Sequence, residues 1–182
     1  MKTLAVIVLL AAFSAPALAK DKNVFVKTDR FTGKTIIVMK AFGITPFLGK
    51  ADVTQDSTIG VSLSLAAVVH TEDSDNVSFV VYVYAAHWQF LNGADVHMLA
   101  DGQPIDLGLF VAATSHVDAT DDVVTTNEAI VGHANRSTLD RMTNAKDLQI
   151  EVGNYQCRVN PKNIQRLKEF SDALPLMKAA QQ

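Results

Sequence analysis

The sequence lacks several features that would indicate chemistry. It has one cysteine, Cys157, so an intramolecular disulfide and a metal site built from several cysteines are both excluded. Its 16 basic residues are outnumbered by 19 acidic ones, and the formal net charge of −3 gives no long-range attraction for nucleic acid or an anionic membrane. The five histidines show no H-x-H, H-x-x-x-H or H-E-x-x-H spacing. The sequence therefore indicates no cofactor, no metal site and no nucleic-acid partner.

Catalytic motifs are also missing. There is no G-x-S-x-G elbow, no S-x-x-K and no glycine loop of the kind that binds phosphate. Ser115, His116 and Asp118 are the residue types of a hydrolytic triad, but adjacent residues of a strand point to opposite faces. Ser115 and His116 therefore cannot readily meet in triad geometry, and we predict no catalytic residues from this segment.

Residues 1–19 have the layout of a secretory signal peptide. Lys2 supplies a positive start, Leu4–Phe13 is an uninterrupted apolar run, and Ala17–Ala19 is an A-x-A cleavage signal. The apolar run has ten residues, whereas a membrane-spanning helix needs roughly 20. We predict cleavage to one exported domain, residues 20–182, with a formal net charge of −4 and no transmembrane segment. The expected location is the periplasm or the medium.

The rest of the chain is rich in short β-branched and aromatic runs separated by turn residues. Strands are predicted at 24–26, 35–39, 57–69, 77–86, 95–100, 103–107, 109–115, 123–130, 148–152 and 155–159. Regular short strands with frequent turn signals favour a sandwich or barrel over a parallel α/β sheet. We predict a mainly β fold: an antiparallel β-sandwich of about eight to ten strands.

Two hairpins can be registered from the sequence. Asp101–Gly102 is a strong two-residue type I′ turn signal, and the register that it sets places His97 across from Asp106. A second hairpin is predicted to turn at Gly153–Asn154. It places Cys157 opposite Ile150 on the apolar face, where the thiol would be buried and unreactive.

Two helices are predicted near the end of the chain. Ser137 is the expected N-cap of a short helix reaching about Asn144. Asn160–Pro161 is the expected start of a C-terminal amphipathic helix, because asparagine caps well and proline suits the first helical position. The apolar residues of this helix fall on one face: Ile164, Leu167, Phe170 and Leu174.

Two groups of residues are candidate sites. The apolar loop predicted at Ala41–Leu48 carries Phe42, Ile44, Phe47 and Leu48. These side chains either plug one end of the sandwich or form an exposed patch that contacts a partner. His97 with Asp106 is the second candidate, a polar pair that is either a surface ion pair or part of an acid–base site.

A third group is aromatic. Tyr82, Tyr84 and Trp88 lie close together along the chain. They either line an outer groove or serve in packing, and the sequence leaves both alternatives open.

Three segments of the sequence together carry a resemblance to known proteins: D-R-F-T-G-K-T at Asp29–Thr35, the L-A-D-G turn at Leu99–Gly102, and N-A-K-D-L-Q-I-E-V-G-N-Y-Q-C-R-V at Asn144–Val159. Over roughly Val24 to Phe170 the chain resembles a type of small bacterial exported domain found after signal peptides or lipidation signals. The resemblance implies a predominantly β fold and assigns no catalytic residues. Lipoprotein versions carry a lipidated cysteine that this chain lacks, so lipid anchoring is not expected.

Three functions are compatible with these observations. The favoured one is an exported, non-catalytic β domain that binds a protein, a peptide or a cell-envelope component. The second is a hydrolase with a dispersed site that uses His97, Asp106, His116 or Glu128. The third is a carrier of a metal or small ligand that uses scattered histidines and loop carboxylates.

Overall fold

A computed structural model describes residues 23–49, 62–70, 73, 75–120 and 123–174, with the backbone alone at 45–49, 120 and 123. The predicted signal peptide lies outside these residues. The elements are β1 (Val24–Thr28), β2 (Thr35–Gly49), β3 (Ser62–His70), β4 (Asn76–Ala85), β5 (Ala94–Ala100), β6 (Gln103–Thr120), β7 (Val123–Asn135), α1 (Arg136–Asn144), β8 (Leu148–Val152), β9 (Tyr155–Val159) and α2 (Pro161–Ala173). The mainly β prediction with two late helices is confirmed.

The nine described strands form one curled antiparallel sheet in the order β1-β2-β3-β4-β7-β6-β5-β8-β9, and β9 also pairs with β2. Two long strands belong to both halves of the sheet. β2 pairs with β3 through Ile36–Ile44 and with β9 through Thr45–Gly49. β6 pairs with β5 through Gln103–Phe110 and with β7 through Val111–Thr120. The predicted sandwich of two separate sheets is therefore not confirmed.

The two long strands differ from the prediction because β-bulges let a strand bend without ending. Gly108 has a φ of +71° where β6 shifts register against β5, so the predicted break between two strands is a bulge in one strand. β2 shifts register between Met39 and Phe42, and it continues through the segment for which the sequence predicts the loop Ala41–Leu48. That loop prediction is wrong.

The main core lies on the inner face of the sheet. Alternate residues of β3 and β4 are buried there, which is the pattern of strands with one face toward a core. The cluster takes in side chains from both halves of the sheet and from both helices, including Phe79, Phe110, Leu139, Met142, Leu167 and Phe170. The helices thus cover one end of the same core. None of the helices in the described ranges has the length and apolar character needed to cross a membrane.

The helix starts follow the capping rules, with one change of residue. Asn160 accepts a hydrogen bond from the Asn163 backbone N–H at 2.9 Å, which confirms the predicted start of α2. In α1 the cap is Asn135, which accepts from the Thr138 N–H at 2.9 Å. Ser137, the expected cap, lies inside the helix and donates its hydroxyl to the Asn135 side chain at 2.7 Å. The prediction placed the cap two residues late because both residue types cap well.

Both predicted hairpins are confirmed in register. His97 faces Asp106, and Asp101 and Gly102 have φ values of +51° and +77°, as a type I′ turn requires. In the second hairpin Ile150 faces Cys157, and Gly153 has a positive φ of +55°. The first register holds up to the His97 pair and then shifts at the Gly108 bulge.

The two ends of the sheet differ. α1 follows directly from β7, and its Arg136 N–H donates to the Asp75 carbonyl just before β4, so the helices lie at the end where β4 begins. At the other end β4 runs into residues 86–93 and the chain turns from β6 into β7. We call this second end the loop end, and residues 86–93 the anchored loop.

Candidate functional site

The anchored loop is held by a buried carboxylate. Glu128 lies on the inner face of β7, is 4% exposed, and pairs with Val83 of β4 and Ser115 of β6. Its Oε2 accepts the Gln89 N–H at 2.6 Å and its Oε1 accepts the Phe90 N–H at 2.9 Å. Hydrogen bonds to an ionised group are about twice as strong as neutral ones, so this side chain sets the path of the loop.

Tyr155 of β9 holds the same loop from another strand on the inner face of the sheet. Its hydroxyl donates to Gln89 Oε1 at 2.7 Å, and its ring meets that of Phe90 edge-on with centroids 6.1 Å apart. Partial burial raises the pKa of the Tyr155 hydroxyl, which keeps it a hydrogen-bond donor. Gln89 in turn donates from Nε2 to the His87 carbonyl at 2.9 Å.

Gly153 explains why Phe90 fits so closely under the second hairpin. A Cβ at this position would lie 2.9 Å from the Phe90 ring, and the residue has a positive φ. Phe90 itself is 7% exposed and belongs to the main core. The loop is therefore fixed by a packed ring as well as by hydrogen bonds.

Large apolar side chains are exposed around this fixed loop. Trp88 and Leu91 are on the loop itself, Tyr84 is at the end of β4, and Val117 and Val124 are on the β6–β7 hairpin. Their exposed fractions are 42% for Tyr84, 38% for Trp88, 51% for Leu91, 52% for Val117 and 56% for Val124. The strand pairing places them at one end of the sheet but on both of its faces: Val117 pairs with Thr126 on the inner face, and Tyr84 pairs with Asn127 on the outer face. The Thr126 hydroxyl donates to the Ala85 carbonyl at the end of β4. We call these five side chains the apolar rim.

The apolar candidates from the sequence lie elsewhere. Phe42 and Ile44 are 4% and 3% exposed and belong to the main core, so these two residues are not available to contact a partner. Their burial agrees with the packing alternative. The side chains of Phe47 and Leu48 lie outside the described residues.

His97 and Asp106 do form the predicted cross-strand pair. His97 Nδ1 lies 3.4 Å from Asp106 Oδ1, with the two side chains 53% and 76% exposed. The same Asp106 oxygen accepts the Gly108 N–H at 2.8 Å, within the bulge of β6. A pair this exposed contributes at most about 1 kcal/mol to stability. Its contacts within the chain are those of a surface ion pair that also supports the bulge.

The triad-like residues are divided between two faces. His116 Nε2 lies 3.6 Å from Asp118 Oδ2, and Asn127 Nδ2 donates to that oxygen at 2.5 Å. Ser115 sits on the opposite face of the strand, paired with Glu128. The predicted inability of Ser115 and His116 to meet is therefore borne out by the register.

The four residues named for a dispersed hydrolase site are not brought together. Glu128 is buried with both oxygens bonded to backbone, His116 contacts Asp118 on the other face, and the His97 pair lies on the half of the sheet formed with β5. Within the described ranges no three histidine, cysteine, aspartate or glutamate side chains are close enough to hold a metal ion.

Cys157 occupies the predicted position. It is fully buried opposite Ile150, and burial raises the pKa of its thiol to about 11. The thiolate is the reactive form, so this cysteine is a packing residue at neutral pH.

The sequence indicates Trp88 as a candidate but does not show that it lies on a loop beyond β4. Tyr82 lies half-buried on the outer face of β4, whereas Trp88 lies beyond the strand, so the three aromatics do not follow one line along a strand. The role of Glu128 was also missed. Its one sequence signal is an acidic residue that falls between Thr126 and Ile130, on the inward-facing side of the strand.

Compared with known proteins, the chain matches no family model, no curated protein and no solved structure at a significant level.

Proposed function

We propose that this chain is an exported, non-catalytic β domain that binds a protein, a peptide or a cell-envelope component through the apolar rim. In this proposal the two halves of the curled sheet act as facing layers around one core, in the manner of a sandwich. The observation that carries it is the combination of a fixed loop with exposed apolar side chains at a single end. Export itself is inferred from the signal-like residues 1–19.

Rigidity is what distinguishes this surface from scattered exposed hydrophobics. Single exposed apolar residues are normal on soluble proteins, but clusters commonly mark interaction sites. Trp88 and Leu91 are carried on a backbone that Glu128 and Tyr155 already hold. A partner would therefore contact side chains that are already partly ordered. Less conformational entropy is then lost on binding, which favours affinity.

Trp88 is the only tryptophan in the chain, so the tryptophan fluorescence of the protein reports on the surroundings of this one side chain. We would titrate the protein with three probes: phospholipid vesicles, soluble peptidoglycan fragments and extended apolar peptides. Binding at the apolar rim is expected to shift the Trp88 emission to shorter wavelength in a saturable way with one probe. Leu91→Ser should weaken that binding about tenfold, since burying one such side chain contributes about 1.5–3 kcal/mol.

Leu99→Ser is the matched control, because Leu99 is 40% exposed on β5, beside the Asp101–Gly102 turn and away from the apolar rim. It should leave the titration unchanged. Equal weakening by both substitutions, or no saturable change with any probe, would contradict the proposed site. Turnover of a hydrolase substrate that is lost on changing His97 would contradict the non-catalytic part.

The location has its own test. Expressed in a bacterium with residues 1–19 intact, the protein should be recovered from the periplasm or medium with Lys20 as its first residue. Recovery from the cytoplasm with the N-terminal residues still present would overturn the export proposal without bearing on the apolar rim.

A further inference from the structure

The second half of β6 has an open edge. Residues 111–120 pair with β7 on one side, while β5 on the other side reaches only to Phe110. Within the part of the chain that the structure describes, no strand pairs with this second side. All nine residues from Val111 to Ala119 are exposed.

An open edge leaves a row of backbone N–H and C=O groups able to pair with another strand. Proteins commonly block these edges with charged side chains, lysine above all, with proline or with a bulge. Residues 114–120 contain no proline and no lysine, and their pairing with β7 is regular after the register shift that ends at Thr114. This stretch therefore has the chemistry that recognises an extended strand.

We propose that the occupant is the same stretch of a second copy of this chain, paired antiparallel so that the two sheets join into one. This inference goes beyond the proposed function. Its main support is that the edge is complementary to itself. With the twofold axis at Val117, His116 of each copy faces Asp118 of the other, giving two cross-strand pairs of an imidazole with a carboxylate.

Neighbouring registers lack this complementarity. Backbone geometry allows only shifts that keep hydrogen-bonding residues opposite one another, so the axis moves along the strand one residue at a time. An axis at His116 places two imidazoles opposite each other, and an axis at Asp118 places two carboxylates opposite each other. Two carboxylates directly opposite each other repel, and an axis at His116 leaves neither imidazole facing a carboxylate, so the Val117 axis is favoured.

The same register removes an exposed apolar side chain from water. Val117 is 52% exposed in one copy and would meet its own counterpart across the axis. Ser115 would face Ala119, a pairing of two small side chains that fit opposite each other. The other four residues of each apolar rim would remain exposed on either side of the joined sheet.

Charge reversal tests both the dimer and its register. By analytical ultracentrifugation the wild-type protein should show a concentration-dependent mass twice that of one chain. His116→Glu places carboxylates opposite carboxylates, and Asp118→Lys places lysine opposite histidine. Each variant alone should dimerise about tenfold more weakly or worse, since each loses both imidazole–carboxylate pairs and His116→Glu also brings carboxylates together.

Mixing the two variants provides the rescue. In the mixed dimer the glutamate introduced in the first variant faces the lysine introduced in the second, and the unchanged Asp118 of the first faces the unchanged His116 of the second. Both pairs are then attractive again. A heterodimer at wild-type affinity is therefore expected, and its formation shows that both variants are folded. A wild-type protein that stays monomeric, variants that dimerise normally, or a mixture that does not associate would each overturn the proposal.

Discussion

The buried carboxylate of Glu128 permits a quantitative prediction. Glu128→Ala removes both acceptors from the Gln89 and Phe90 N–H groups, of which the second is buried. A hydrogen bond to a charged group is worth about 1.5–3 kcal/mol, and water can partly replace the bond to the less buried Gln89. We therefore expect the free energy of unfolding to fall by about 3 kcal/mol, a large share of the roughly 5–15 kcal/mol typical of a domain.

The Glu128→Gln variant separates the effect of the carboxylate charge on stability from the effect of the side chain's shape. The amide keeps one acceptor oxygen but directs an NH2 group at the second N–H, so the expected loss is about half that of alanine, roughly 1.5 kcal/mol. Glu151→Ala is the control, because this carboxylate makes one exposed bond to Gln156 at 3.2 Å and should cost less than about 0.5 kcal/mol.

The assay is equilibrium unfolding in urea, followed by far-ultraviolet circular dichroism and by the emission of Trp88. Dichroism gives the global free energy, while the Trp88 signal in the absence of urea shows whether the anchored loop has loosened in the folded protein. A loss below about 1 kcal/mol for Glu128→Ala, or a Glu128→Gln variant as stable as wild type, would refute the anchoring role.

Three further predictions concern the core and the caps. Burial raises the pKa of the Cys157 thiol from 9.0 to about 11. The protonated thiol therefore contributes fully to the stability of the folded state below pH 9, and this contribution is lost as the pH rises toward 11. Over that range the stability advantage of wild type over Cys157→Ala in urea unfolding should shrink by about 2 kcal/mol. Gly132→Ala directs a Cβ into the Phe110 ring and should cost about 3 kcal/mol or more by thermal unfolding, whereas Gly43→Ala meets nothing within 4 Å and should be close to neutral. Asn160→Ala removes the cap of α2 and should cost about 1 kcal/mol in the same assay, and an unchanged melting temperature would contradict that role.

Local signals were sufficient for much of this fold. The Asp101–Gly102 and Gly153–Asn154 turns fixed their hairpins because turn chemistry and alternating apolar residues acted together within a few residues. The same registers placed Cys157 in the core and His97 beside Asp106. Each of these relations joins residues close in sequence, where the geometry leaves few alternatives.

Relations between distant residues could not be predicted in this way. Gly108 looked like a strand break, since a glycine with turn neighbours can end a strand or bend one, and the bulge depends on where β5 and β7 lie. The partners of Glu128 are 38 and 39 residues away. Nothing local to Glu128 indicates that its carboxylate meets the loop after β4. The apolar rim depends on the same tertiary arrangement, and so the sequence alone could not locate it.

The pairing of β2 with β9 has a consequence for how the chain folds. Thr45 lies opposite Arg158, so this contact joins residues more than a hundred positions apart in the sequence. Loop closure over such a distance costs entropy before any contact compensates for it, and sheets dominated by distant pairings fold in milliseconds to seconds rather than microseconds. We expect the pairing of β2 with β9 to form late, after the local hairpins. Until it forms, the facing edges of β2 and β9 are open to other chains, so refolding yield should fall as protein concentration rises.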